Sequence, residues 1–201
     1  MNKMFIFIYF VSSITMMSGC KDSSPSQPSS LKTDIYPLTK GNTWVYFYAE
    51  YDLSGSITAS YTTTANVRGD STFWGHSMKL LWFEGDCWYA NTDSGLIQYV
   101  GNGNNPPTNT FELLYQYPTA RGNSYYIAGI VPVEVGSTDT LITVTAGTFH
   151  CIRYHFPGIN TPFFVDHFVS PGIGLIKTAT YNTNVPSHEY DGHELLSYSL
   201  K

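Results

Sequence analysis

From Ile35 onward, apolar and polar residues alternate with a period of two over most of the chain. Ile57, Ala59, Tyr61, Ala65 and Val67 take one face, and Thr58, Ser60, Thr62, Thr64 and Asn66 take the other. That pattern marks an antiparallel strand with one wet face. Residues 43–53 are aromatic or apolar on both faces: Trp44, Tyr46 and Tyr48 on one, Val45, Phe47 and Tyr51 on the other. This predicts a strand covered on both sides. Ser54-Gly55-Ser56 between the two has turn chemistry, so they form a hairpin.

Further strands are predicted over 77–83, 87–91, 96–100, 111–117, 124–130, 141–146, 149–156, 162–169, 175–181 and 194–200. The links between them carry Gly, Pro, Asn and Asp. Arg68-Gly69-Asp70 reads as a plain turn, and Asp191-Gly192 reads as the turn of a hairpin. Residues 101–107 read as a mobile loop or lid. The expectation is an all-β domain over 35–201 with little helix. It is a single curved antiparallel sheet, or an open or half barrel, of about ten strands. Two segments nearly repeat: Tyr36-Pro37 through Gly41-Asn42-Thr43-Trp44, and Tyr117-Pro118 through Gly122-Asn123-Ser124-Tyr125. The flanking strands do not match, which favours two similar turns; the alternative is a duplicated half.

The N-terminus follows other rules. Lys3 precedes the apolar run Met4–Val11, and Met17-Ser18-Gly19-Cys20 ends it. This is the order of a secretory signal, and its end resembles the lipobox of bacterial lipoproteins. On that reading residues 1–19 are removed and Cys20 is lipidated; the alternative is an ordinary cleaved signal or a signal anchor, with Cys20 there by chance. The apolar run is too short for a membrane-spanning helix, which needs roughly 20 apolar residues. The acyl chains would hold the protein on a membrane, each buried CH₂ contributing about 0.8 kcal/mol. Residues 20–34 then form a Ser/Pro-rich tether. The expected address is the bacterial cell envelope, on the outer membrane, with the leaflet left open.

Charge narrows the partners. The chain carries 10 basic and 15 acidic residues. Cleavage after Gly19 would remove Lys3 and no acid. Without a basic patch, neither nucleic acid nor charge-driven adhesion to anionic lipid is expected.

Three motifs together resemble a family of uncharacterised bacterial lipoproteins and exported domains. They are Tyr36-Pro37-Leu38 with Gly41-Asn42-Thr43-Trp44-Val45-Tyr46, then Val144-Thr145-Ala146-Gly147-Thr148-Phe149-His150-Cys151, then Ser170-Pro171-Gly172-Ile173-Gly174-Leu175-Ile176-Lys177. The resemblance implies a strongly curved antiparallel sheet, similar to the half-barrels of lipoprotein carriers. It supplies no catalytic residues.

Candidate chemistry is sparse. Cys87 and Cys151 could form a disulfide in an exported protein, worth about 3–4 kcal/mol for a loop of about 64 residues; the alternative is two buried thiols. His188 and His193 are five apart, with Gly192 between them, which does not fit a zinc-binding helix. If Pro157-Gly158-Ile159-Asn160 closes a hairpin, His150 faces His167, giving two weak candidate metal ligands but no third. Asp166 and His167 are strand neighbours pointing to opposite faces, so they are no relay. No nucleophile motif or phosphate-binding loop is present, and no cofactor is expected. The remaining clue is aromatic: Trp74, Trp82, Trp88, Tyr99, Tyr115 and Tyr125 are candidate ligand-binding residues on a sheet face. The expected function is non-catalytic binding of an apolar or glycan ligand. The alternatives are an assembly lipoprotein that binds another envelope protein, and, last, a hydrolase.

Overall fold

In the computed structural model, residues 34–73, 75–100 and 110–201 are described. The expected signal over residues 1–19, Cys20 with its expected lipidation, most of the expected tether, Trp74 and residues 101–107 lie outside them. The described residues form twelve strands: β1 (Thr43–Tyr51), β2 (Ile57–Phe73), β3 (His76–Trp82), β4 (Asp86–Thr92), β5 (Gly95–Val100), β6 (Thr110–Gln116), β7 (Ser124–Ile127), β8 (Val131–Val144), β9 (Gly147–Pro157), β10 (Phe163–Ser170), β11 (Gly174–Asn182) and β12 (Val185–Ser199). All pair antiparallel in one sheet, in the order β6-β5-β4-β3-β2-β1-β12-β11-β10-β9-β8-β7. The all-β, strongly curved sheet expected from the alternation is therefore present, with more strands than anticipated, and it nearly closes into a barrel.

The order is two six-stranded meanders joined by the β1–β12 ladder. The near-repeated turns open the two halves and make the same bonds. Gly41 N donates to Val67 O and Gly122 N to Val135 O; Asn42 N donates to Thr39 O and Asn123 N to Ala120 O; Val67 N donates to Asn42 O and Val135 N to Asn123 O. Each second strand then bulges just after that valine, between Val67 and Gly69 and between Val135 and Ser137. Each fifth strand starts Gly-Leu-Ile, at Gly95 and Gly174, with both glycines at positive φ. The halves are structural repeats, so matching turns alone are too small a reading.

Repetition makes β6–β7 the counterpart of the β1–β12 junction. Here tyrosine hydroxyls span the seam instead of a backbone ladder. Tyr125 Oη donates to Leu114 O (2.7 Å), and Tyr154 Oη to Gln116 O (2.6 Å). They occupy carbonyls that a bare edge strand would leave open to pairing with another chain.

One end of the barrel is crossed by residues 34–42. Gly172 N donates to Asp34 O at the β10–β11 turn, and Asn91 Nδ2 donates to Tyr36 O on β4 (2.7 Å). Ile35, Tyr36 and Leu38 are buried there. Trp44 Nε1 donates to Ile173 O (2.7 Å) and Tyr46 Oη to Leu175 O (2.9 Å). Two of the three sequence motifs are thus packing partners. Lys201 N donates to Asn42 Oδ1 (2.8 Å), tying the C-terminal residue to the same region. Lys32–Lys201 forms a compact unit of its own.

Several local expectations are corrected. Arg68-Gly69-Asp70 is no turn but lies within β2, at its bulge. β12 begins at Val185, with Gly192 in mid-strand opposite Ala49. A Cβ on Gly192 would sit 2.2 Å from Thr178 O, so the glycine serves close strand approach and not a turn. β8 begins at Val131, its first half disguised by Pro132 and Gly136. In the β9–β10 hairpin, Tyr154 faces His167 and Pro157 faces Phe164. The predicted four-residue loop is too short. Gly158 packs against Phe163 O, where a Cβ would come within 1.9 Å, and Pro162 lacks an N–H for the ladder. The ladder accordingly starts only at Phe164.

Candidate functional site

The curvature leaves a cavity of about 380 Å³ on the inner face, lined by residues from β3–β6 and β10–β12 and by Tyr36. Its two walls differ. Leu81, Phe83, Tyr89, Leu96, Leu114 and Tyr115 form a mainly apolar wall, part aromatic, with Gln98 as its polar member; His167, Thr178, Thr180, Asp191 and His193 make the other wall mainly polar, with Val165 and Leu175 among them. Alternation produces both, because inward positions of β10, β11 and β12 carry His and Thr where a filled core would carry Val or Leu. Tyr36 reaches the cavity from the crossing segment, its ring against Gly174, where a Cβ would meet it at 2.8 Å.

The polar groups are held by one another. Tyr115 Oη lies 2.8 Å from His167 Nδ1. Burial pushes the His167 imidazole down to about 4, against a smaller upward pull from Asp166. Burial also keeps the Tyr115 phenol protonated, well above its ordinary value. Thr178 Oγ1 accepts from His193 N (2.9 Å) and lies 3.3 Å from His193 Nδ1. Thr180 Oγ1 donates to Asp191 Oδ1 (2.9 Å). Glu84, at the exposed rim, accepts from Tyr61 Oη and lies 3.3 Å from His193 Nε2.

Of the aromatic residues named from sequence, Tyr115 lines this cavity. Tyr125 belongs to the seam. Trp82 carries the Arg68 guanidinium 4.7 Å above its ring. Trp88 and Tyr99 pack on Phe73, at 5.1 and 4.8 Å. Trp74 is outside the described residues. Consecutive aromatics divide between two faces of a strand, so a cluster in sequence becomes two groups in space. Tyr89, part of the same aromatic cluster in the sequence, also lines it, and His167 was a candidate only for a metal; Tyr36, Asp191 and His193 were not singled out, and the available signal was polar residues at inward parity on β10–β12.

His150 and His167 do not meet. His150 faces Leu141 across β8–β9 and bonds the exposed Asp139, while His167 lies in the cavity wall. The displaced β9–β10 register is the reason. Cys87 and Cys151 are free thiols on β4 and β9, with six strands between them in the sheet order. Cys151 is buried, which pushes its thiol up to about 12, and the disulfide is not formed. On the outer face, buried Asp166 binds Arg153 Nη2 and His155 Nδ1, both at 2.8 Å.

No family model matches the chain, and no curated protein matches it. Among solved structures, one similar chain is a provisionally assigned lipoprotein from Parabacteroides distasonis. It is 15% identical over 83% of this chain and 99% of that one, with a TM-score of 0.42. Another is a provisionally assigned exported protein with a YmcC-like fold from Bacteroides fragilis. It is 12% identical over 83% and 99%, with a TM-score of 0.45. Neither likeness assigns a function.

Proposed function

We propose that this chain is a lipid-anchored envelope protein that binds, without catalysis, one small ligand with an apolar part and a polar part. The observation that supports this most is the two-walled cavity, mainly apolar on β3–β6 and hydrogen-bonding on β10–β12. Small-molecule sites combine an apolar lining with a few placed polar groups. A binder fits better than a catalyst, because the wall's hydroxyls and imidazoles are engaged with each other and none stands as an activated nucleophile. Cys20 and the tether supply the anchor on this reading.

The test is titration of the domain from Lys21 to Lys201 with N-phenyl-1-naphthylamine, an uncharged apolar probe that fluoresces when desolvated. The expected result is saturable binding at one site per chain. Absence of saturable binding would reject the reading.

A further inference from the structure

The charge arrangement in the cavity narrows the ligand class. No Lys or Arg is among the lining residues. Lys177 on β11 and Arg153 on β9 face the other side of the sheet and are committed there, and Lys79 on β3, opposite Tyr89, is not among the lining residues. Lys177 Nζ binds Glu189 and Glu194 at 2.9 and 2.8 Å, and Arg153 binds Asp166. Two carboxylates stand on the cavity's own side, Asp191 in the wall and Glu84 at the rim.

What remains open to a ligand is a small set of hydrogen-bonding groups: one neutral donor, one amide acceptor and one carboxylate acceptor. Tyr115 Oη has one proton, and His167 Nδ1 is its partner. If the imidazole donated instead, the buried hydroxyl would have no acceptor, a loss of about 1–3 kcal/mol. The phenol therefore donates to Nδ1, and His167 carries its proton on Nε2, which has no protein partner among the described residues. Asp191 Oδ1 takes the Thr180 hydroxyl, leaving Oδ2 as an acceptor. Gln98 Nε2 is directed at Cys87 Sγ (3.7 Å), leaving the Gln98 carbonyl as a second acceptor.

We infer that the occupant is an amphiphile with an uncharged, hydroxyl- or amide-bearing head, seated between His167 Nε2, Asp191 Oδ2 and Gln98, with its apolar part on the Tyr89–Leu96–Leu114–Tyr115 wall. The inference rests on the reading of this cavity as a ligand site. A hydroxyl or amide can satisfy one donor and two acceptors together, whereas an ammonium has no lone pair to accept from the His167 Nε2–H. A carboxylate, sulfate or phosphate head would lose its water, meet no cation, and face Asp191, the arrangement by which a site rejects a competitor.

The experiment displaces bound N-phenyl-1-naphthylamine from the Lys21–Lys201 domain at pH 7. Three eight-carbon amphiphiles are used below their micelle concentrations: octyl β-glucoside, octyl sulfate and octylammonium. The glucoside should displace the probe at a concentration at least about tenfold lower than either charged compound. Asp191→Asn keeps an acceptor for Thr180 and removes the charge, so octyl sulfate should gain about tenfold relative to octyl β-glucoside, both read against the variant's own affinity for the probe. Equal or better displacement by octyl sulfate or octylammonium in the unsubstituted protein would overturn the inference and leave the cavity reading intact. So would an unchanged sulfate-to-glucoside ratio in a folded Asp191→Asn protein. Should that variant fail to fold, the ranking in the unsubstituted protein decides by itself. Failure of the probe to bind at all would instead reject the cavity reading on which the inference stands.

Discussion

Gly174 and His167 show how single positions hold this fold. Gly174 has φ of +101° and supports the Tyr36 ring where a Cβ would intrude. Gly174→Ala combines backbone strain with a displaced buried aromatic, and should cost at least about 2 kcal/mol in urea unfolding. A loss below ~0.5 kcal/mol would show that the segment 34–42 is not seated against β11. At His167 the folded state refuses a proton that the unfolded chain accepts. Its value is about 4 in the fold against an ordinary 6.5. Stability is therefore full above about pH 6.5, falls as pH drops toward 4, and loses nothing more from this group below that. Unfolding at pH 7.5 and 4.5 should differ by about 2 kcal/mol from this residue. His167→Gln, which retains an acceptor for Tyr115, should remove that share; an unchanged pH dependence in the variant would refute it.

At the scale of elements, the junctions between the halves decide how closed the barrel is. β1–β12 is joined by backbone bonds, whereas β6 is held to the second half by the hydroxyls of Tyr125 on β7 and Tyr154 on β9. Tyr125→Phe leaves Leu114 O without that donor and should cost about 1–2 kcal/mol. Amide exchange should quicken in β6 and β7 while β1 and β12 keep their protection. Uniform acceleration across the sheet would mean the seam is not a separate opening unit. Strand existence was legible in the alternation, and the β1–β2 hairpin in its turn residues. Strand extent was hidden wherever a residue that usually breaks strands sits inside one, as Gly192 does in β12, Gly69 at the β2 bulge and Pro132 in β8. The Gly-Leu-Ile repeat at 95–97 and 174–176 was visible in the residues, but its meaning needed the shared topology.

At the scale of the molecule, the central claim is that the two walls enclose a space which something fills. That space was poorly legible in the sequence, because inward polar residues such as Thr178, Thr180 and His193 look like a solvent face when only their alternation is seen. Aromatic content pointed toward a binding surface but could not say which rings share a side. Leu96 is buried in the cavity wall at the start of β5. Leu96→Trp adds volume at a residue that lines this cavity, so it should fill the site while leaving the hydrogen bonds of the polar wall in place. The most direct measurement is titration of the Lys21–Lys201 domain and its Leu96→Trp variant with N-phenyl-1-naphthylamine, alongside urea unfolding of both. The account predicts one saturable site in the first, at least a tenfold loss of affinity in the second, and closely similar unfolding midpoints. Undiminished probe binding by a folded Leu96→Trp protein would contradict it, because the probe would then be sitting somewhere other than this cavity.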